Sequence, residues 1–205
     1  MKILLTGFNQ FSTLSVNPSE SIIQQIAQSY RNQEVNLVTE VLPTEFVRAG
    51  NRICELIRTQ VPDAVIALGV ARGINYVRFE RMALNIDDSE APDNVGDAPS
   101  VRIIQPRGPV AYRSTLPLRK FMDALKSRGL PVEISSNAGT FVCNHVFYSA
   151  RYEIEQVNPG GQCGFIHVPL MLEQAEAFET SCAIPLAVMV EAVTSCIDLL
   201  YEESD

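Results

Sequence analysis

The chain reads as an α/β fold built on a largely parallel sheet with helices against it. Short apolar runs that fit buried strands alternate with segments of helical spacing in the order β-α-β-α-β up to Gly69. Each run is bounded by glycine, proline or a helix-start signal. At 205 residues, 46% hydrophobic and 20% charged, the chain can fill one sizeable core but is short for two, so one domain over 1–205 is expected.

Lys2 to Phe8 is the first strand. Asn17-Pro18-Ser19-Glu20 then combines an N-cap, a proline at the first helical position and a glutamate three residues after the cap, predicting a helix through Ile22, Ile23 and Ile26 to about Tyr30. Val35 to Leu42 is strand two, and Thr44 starts a second helix that breaks at Pro62, with Cys54 on its apolar face. Asp63 to Gly69 is strand three. Ligand sites in such sheets lie beyond the carboxyl ends of the strands, so the loops after Gly7, Leu42 and Gly69 become site candidates.

Tyr76 to Ile86 alternates as a strand or hairpin, and Asp87 to Pro109, rich in Pro, Gly and Asp, is expected to be a surface excursion or lid. A helix near Leu118–Arg128 stops at Gly129, and Pro131 opens a strand. Cys163 to Pro169 is another buried strand, and the final helix runs from about Pro185 to Tyr201.

A net charge of −8 argues against a nucleic-acid partner. Arg102, Arg107, Arg113, Arg119 and Lys120 are spread along the chain and are expected on a solvated face. The five cysteines form no C-x-x-C pair, so neither a metal nor a disulfide framework is expected. No G-x-G-x-x-G follows strand one, which argues against a dinucleotide, and no cofactor is assigned. The apolar run before Gly7 is too short for a signal sequence and nothing approaches a membrane span, so a reducing cytoplasm is expected.

The chemistry centres on Ser135 to Val146. Val142, Val146, Ala150 and Ile154 recur at helical spacing, Gly139 allows a sharp strand-to-helix turn, and Thr140 or Asn137 can cap. Cys143 then falls in the first helical turn, where backbone N–H groups and the helix dipole favour a thiolate. A base must come from two histidines. His145 lies about 200° round the helix axis from Cys143, whereas His167 sits near a strand end. For the orienting carboxylate, Glu80 interrupts an apolar run, yet pairing with Arg78 or Arg81 on a solvated face explains it as well. Asp87, Asp88 and Asp93 are rivals, and pattern does not choose among them.

Seven blocks in order carry a resemblance. They are Gly7-Phe8-x-x-Phe11, Asn17-Pro18-Ser19-Glu20, Glu80-Arg81-Met82-Ala83-Leu84-Asn85, Pro92-Asp93-Asn94-x-Gly96, Ser114-Thr115-Leu116-Pro117, Ala138-Gly139-Thr140-Phe141-Val142-Cys143-Asn144-His145 and Gly164-Phe165-Ile166-His167-Val168-Pro169. Together they resemble the pyroglutamyl peptidase I family, from Met1 through the final helix.

The resemblance implies a three-layer α/β/α sandwich with a twisted sheet, a Cys143-His167-Glu80 triad, a cytoplasmic location and a homotetramer or homodimer. It implies N-terminally pyroglutamylated peptides as substrates. Phe8, Phe11, Phe141 and Val142 would wall the pocket, beside Asn17, and the backbone at Gly69 and Val70 would meet the lactam. The residues alone had reached Cys143 and His167; the family raises Glu80.

The chain departs from the family's pattern in four places. Ser12-Thr13 stands where Gly-Gly is usual, Gly73-Ile74 where Gly-Arg is usual with an arginine shifted to Arg72, Glu90 where an arginine near the site is usual, and Leu170 where a tyrosine is usual. Glu90 could raise the pKa of Cys143 or change leaving-side preference. Two other readings follow: a thiol amidohydrolase of different small-amide specificity, and a non-catalytic pyroglutamyl-binding homologue.

Overall fold

The structure, a computed structural model, describes residues 1–12 and 14–202. Its elements in order are β1 (Lys2–Phe8), α1 (Pro18–Ser29), β2 (Asn36–Leu42), α2 (Phe46–Gln60), β3 (Ala64–Val70), β4 (Val77–Glu80), β5 (Met82–Leu84), β6 (Ala111–Arg113), α3 (Leu118–Ser127), β7 (Val132–Ser135), α4 (Val142–Val157), β8 (Gln162–Val168), β9 (Leu170–Met171), β10 (Ala183–Ile184) and α5 (Leu186–Glu202).

Six strands form the central sheet in the order β2-β1-β3-β8-β4-β7. β2, β1, β3 and β8 run parallel; β4 is antiparallel to β8, and β7 follows β4. Because side chains alternate across a strand, the sheet buries two cores. Ile3, Leu5, Ile66, Phe79 and Ile166 pack on α1, α3 and α5, and Leu4, Val65, Ala67 and Phe165 pack on α2 and α4. The continuous apolar runs of β1, β3 and β8 follow from burial on both faces. The result is three layers, α/β/α. Among the described residues, no helix is long and apolar enough to cross a membrane.

Three local expectations are corrected. The segment Tyr76–Ile86 is neither one strand nor a hairpin. It breaks at Arg81, leaving β4 in the main sheet and sending β5 to pair with β6. The turn into α4 is a loop, 136–141, in which Gly139 takes φ 80°. Neither proposed cap serves α4: its N-cap is Phe141 with no side-chain bond, Asn137 Oδ1 accepts from Gly139 N, and Thr140 Oγ1 donates to Asp88 O. Helix α2 starts at Phe46, not Thr44, and its cap comes from far along the chain, with Phe46 N donating to Asp93 Oδ2 at 2.9 Å.

The excursion over 87–109 is pinned by buried polar side chains. Asp93 also accepts from Val95 N and Asp97 N, and just before the excursion Asn85 Nδ2 donates to Gln105 O while Asn85 Oδ1 accepts from Gln105 N. Asp87 holds both His145 and Arg102. Arg102 is therefore not a freely solvated cation: it also pairs with Asp97 at 2.7 Å and lies over the Phe46 ring.

Candidate active site

The strand register brings Glu80 and His167 together. In the antiparallel β4–β8 pair, Arg78 stands opposite His167 and Glu80 opposite Phe165. Alternation then puts Glu80, Phe165 and His167 on the α2/α4 face while Phe79 and Ile166 enter the other core. Glu80, at 0% exposure, is not on a solvated face, and its Oε1 accepts from His167 Nδ1 at 2.8 Å. Its Oε2 is buried with no hydrogen-bond partner among the described residues, so the imidazole holds the bond that compensates this buried carboxylate.

Cys143 is the second residue of α4, in the first turn as expected, and it is only partly buried. It lies beside His167, close enough to act on the charge of the imidazole. Burial pulls the His167 pKa down, but Cys143 and Glu80 outweigh it and lift the imidazole from 6.5 to about 9. Gly69, at the end of β3, makes room for the sulfur. A Cβ there would stand 2.8 Å from Cys143 Sγ and 2.8 Å from Phe165 Cζ.

The other candidates are occupied elsewhere. His145 Nδ1 meets Asp87 Oδ2 at 2.9 Å, its ring packs edge-on to Phe46, and its Nε2 faces Gly50 so closely that a Cβ would collide. Asp93 caps α2, and Asp88 accepts only weakly from Val101 N at 3.3 Å. Cys163 and Cys196 are fully buried, and burial pushes the Cys163 thiol up to about 12. Cys54 is half-buried against the core, and burial raises it to about 12 as well.

Cys143 opens into a cavity of about 270 Å³ lined by Phe8, Phe11, Leu14, Asn17, Thr44, Val70, Arg72, Phe141 and Val142. Of the expected substrate-binding residues, Phe8, Phe11, Asn17, Val70, Phe141 and Val142 line it and Gly69 does not. Phe141 is held between Phe11, with centroids 5.1 Å apart, and Phe46, edge-on at 5.2 Å. Asn17 also caps α1 by accepting from Ser19 N, and its Nδ2 ties back to Asn9 O.

Sequence reasoning missed Leu14, Thr44 and Arg72. Each lies just beyond the carboxyl end of β1, β2 or β3, so applying the strand-end rule residue by residue would have found them. It also missed Asn144, buried beside Cys143, whose side chain accepts from Leu84 N and donates to Leu84 O and Ile86 O. An asparagine inside an otherwise apolar helix was the available signal.

A model of the family described as pyroglutamyl peptidase matches residues 1–203. The chain belongs to that family. A pyrrolidone-carboxylate peptidase of Streptococcus pneumoniae is 36% identical over 206 residues, covering 100% of this chain and 95% of the relative. A second, from Caldanaerobacter subterraneus subsp. tengcongensis, is 36% identical and covers 98% of each. Pyroglutamyl peptidase I of Bacillus amyloliquefaciens superposes with a TM-score of 0.89 at 33% identity over 95% of this chain and 94% of that one. A mutant pyrrolidone carboxyl peptidase from Pyrococcus furiosus gives 0.95 at 32% identity over the full length of both.

The departures from the family's pattern can be placed on this structure. Arg72 reaches the cavity, and its guanidinium lies 4.6 Å from the Phe178 ring centre. Glu90 is exposed and is not among the lining residues. Ile74 and Leu170 are buried. Ser12 takes φ 55°, a left-handed conformation where the family usually has glycine; Thr13 lies outside the described residues.

Proposed function

We propose that the protein removes an N-terminal 5-oxoprolyl residue from peptides, with Cys143 as nucleophile, His167 as general acid and base, and Glu80 as the group that fixes the imidazole's tautomer. The carrying observation is the buried Glu80–His167 bond beside Cys143, which opens into an apolar cavity with no carboxylate among its described lining residues. A free peptide N-terminus is an ammonium and calls for a carboxylate; a lactam is compact and neutral and needs apolar walls with a few polar groups.

In this reading, the Cys143 sulfur attacks the 5-oxoprolyl carbonyl and forms a C–S bond. The oxyanion meets backbone N–H groups in the first turn of α4. His167 gives its proton to the departing amine as the C–N bond breaks, leaving a thioester. Water, deprotonated by His167, then attacks the thioester; 5-oxoproline leaves and the sulfur regains its original state. Glu80 holds Nδ1–H so that Nε2 faces the reaction, and it stabilises the imidazolium.

Rapid quenching of a pyroglutamyl ester turnover followed by peptide mass analysis tests the intermediate. One 5-oxoprolyl group on the Cys143 peptide is expected; the group on Cys54 or Cys182, or on no cysteine, would overturn the nucleophile. The reading takes 1–205 as one cytoplasmic catalytic domain that assembles as a homotetramer or homodimer. A sedimentation run showing only monomer removes the assembly.

A further inference from the structure

A second cavity, of about 480 Å³, is lined by Arg81, Arg113, Ser114, Leu116, Pro117, Leu118, Arg119, Lys120 and Ile134. It shares no residue with the cavity at Cys143. The fold thus gathers Arg113, Arg119 and Lys120, expected from sequence to be spread over a solvated face, around Arg81 at the break between β4 and β5.

These arginines differ from five others in the molecule. Arg48, Arg52, Arg58, Arg102 and Arg128 each pair with a carboxylate at 2.6–3.1 Å. Among the described residues, the side chains of Arg81, Arg113 and Arg119 have no ion-pair partner and no carboxylate lines the cavity. Lys120 also lines the cavity but is held elsewhere, its Nζ donating to Leu199 O at 3.3 Å. The α3 start forms one wall, and its first turn carries no acidic residue and no side-chain cap. In a chain of net charge −8, three such arginines around one concavity create a local field opposite in sign to the whole, and an anion would relieve their repulsion.

We propose that this cavity binds a phosphate-bearing small molecule, held by the guanidinium forks of Arg81, Arg113 and Arg119. Planar forks suit the tetrahedral oxygens of phosphate and bind two at a time. The net negative charge of the chain disfavours an extended polyanion, so the ligand is compact.

Calorimetric titration at fixed ionic strength, with inorganic pyrophosphate in one arm and ribose 5-phosphate in the other, tests this. Saturable binding of either is expected, and the tighter arm tells an inorganic polyanion from a phosphorylated metabolite. Arg113→Gln with Arg119→Gln should weaken it at least about tenfold, while Arg107→Gln, outside the cavity, changes it less than about twofold. Unchanged hydrolysis of a pyroglutamyl amide by the double variant certifies its fold. Absence of saturable binding up to about 10 mM, or equal binding by wild type and the double variant, would overturn the proposal.

Discussion

Glu80 illustrates what a single residue position decides. Its carboxylate is buried and, among the described residues, bonds only His167. Glu80→Gln keeps the shape and removes the charge, so kcat should fall by about 10²–10⁴ as the imidazole loses its fixed tautomer. The pH profile carries the sign. His167 holds its proton up to about 9 in the fold against 6.5 unperturbed. A raised pKa means tighter proton binding when folded, so this contribution to stability is complete below pH 6.5 and lost as pH rises through about 9. The alkaline limb of kcat/KM should fall in the same window, and Glu80→Gln should move it to lower pH. An unmoved limb would assign it to another group.

Gly69 is the second residue-scale case. Gly69→Ala puts a methyl where the Cys143 sulfur and the Phe165 ring already sit. A displacement of that size should cost about 10² in kcat/KM while leaving a folded protein by circular dichroism; wild-type turnover by the variant would show that the sulfur has room to spare. At this scale the sequence showed Cys143 and His167, because a helix-start thiol and a strand-end imidazole carry local signals. It left Glu80 open because the same glutamate also fits an ion pair on an exposed strand.

At the scale of elements, most helices and strands were legible because continuous apolar runs and the Asn17-Pro18 start are local features. The failures were all of partnership. Thr44 reads as the start of α2, but the helix begins at Phe46, whose N–H is satisfied by Asp93 from across the surface excursion. Asp93→Ala should therefore destabilise the protein by about 1–2 kcal/mol, read as a lower urea midpoint with unchanged slope. A change within error would mean that water caps α2 equally well. The same logic explains the Tyr76–Ile86 segment, whose alternation is real but whose break at Arg81 is set by two different partner strands, β8 and β6.

At the scale of the whole molecule, the site is a product of topology. Glu80, Cys143 and His167 come from β4, α4 and β8, and only the reversed β4 beside β8 brings the carboxylate behind the imidazole. The parallel half of the sheet was readable from the alternation of elements up to Gly69. The reversal of β4 and β7 was not, because strand direction depends on pairings between distant segments. The charge distribution had the same limit: composition shows the net charge but not that the fold collects Arg81, Arg113 and Arg119 at one cavity.

The measurement that bears most directly on the account compares a pyroglutamyl coumarin amide with the matching prolyl and glutaminyl amides, using wild type and Cys143→Ala side by side. Release of coumarin from the pyroglutamyl amide alone, lost in Cys143→Ala and retained in Cys163→Ala, is the predicted result. Equal cleavage of the prolyl amide would contradict the neutral-lactam pocket, and full activity in Cys143→Ala would contradict the assignment of the nucleophile.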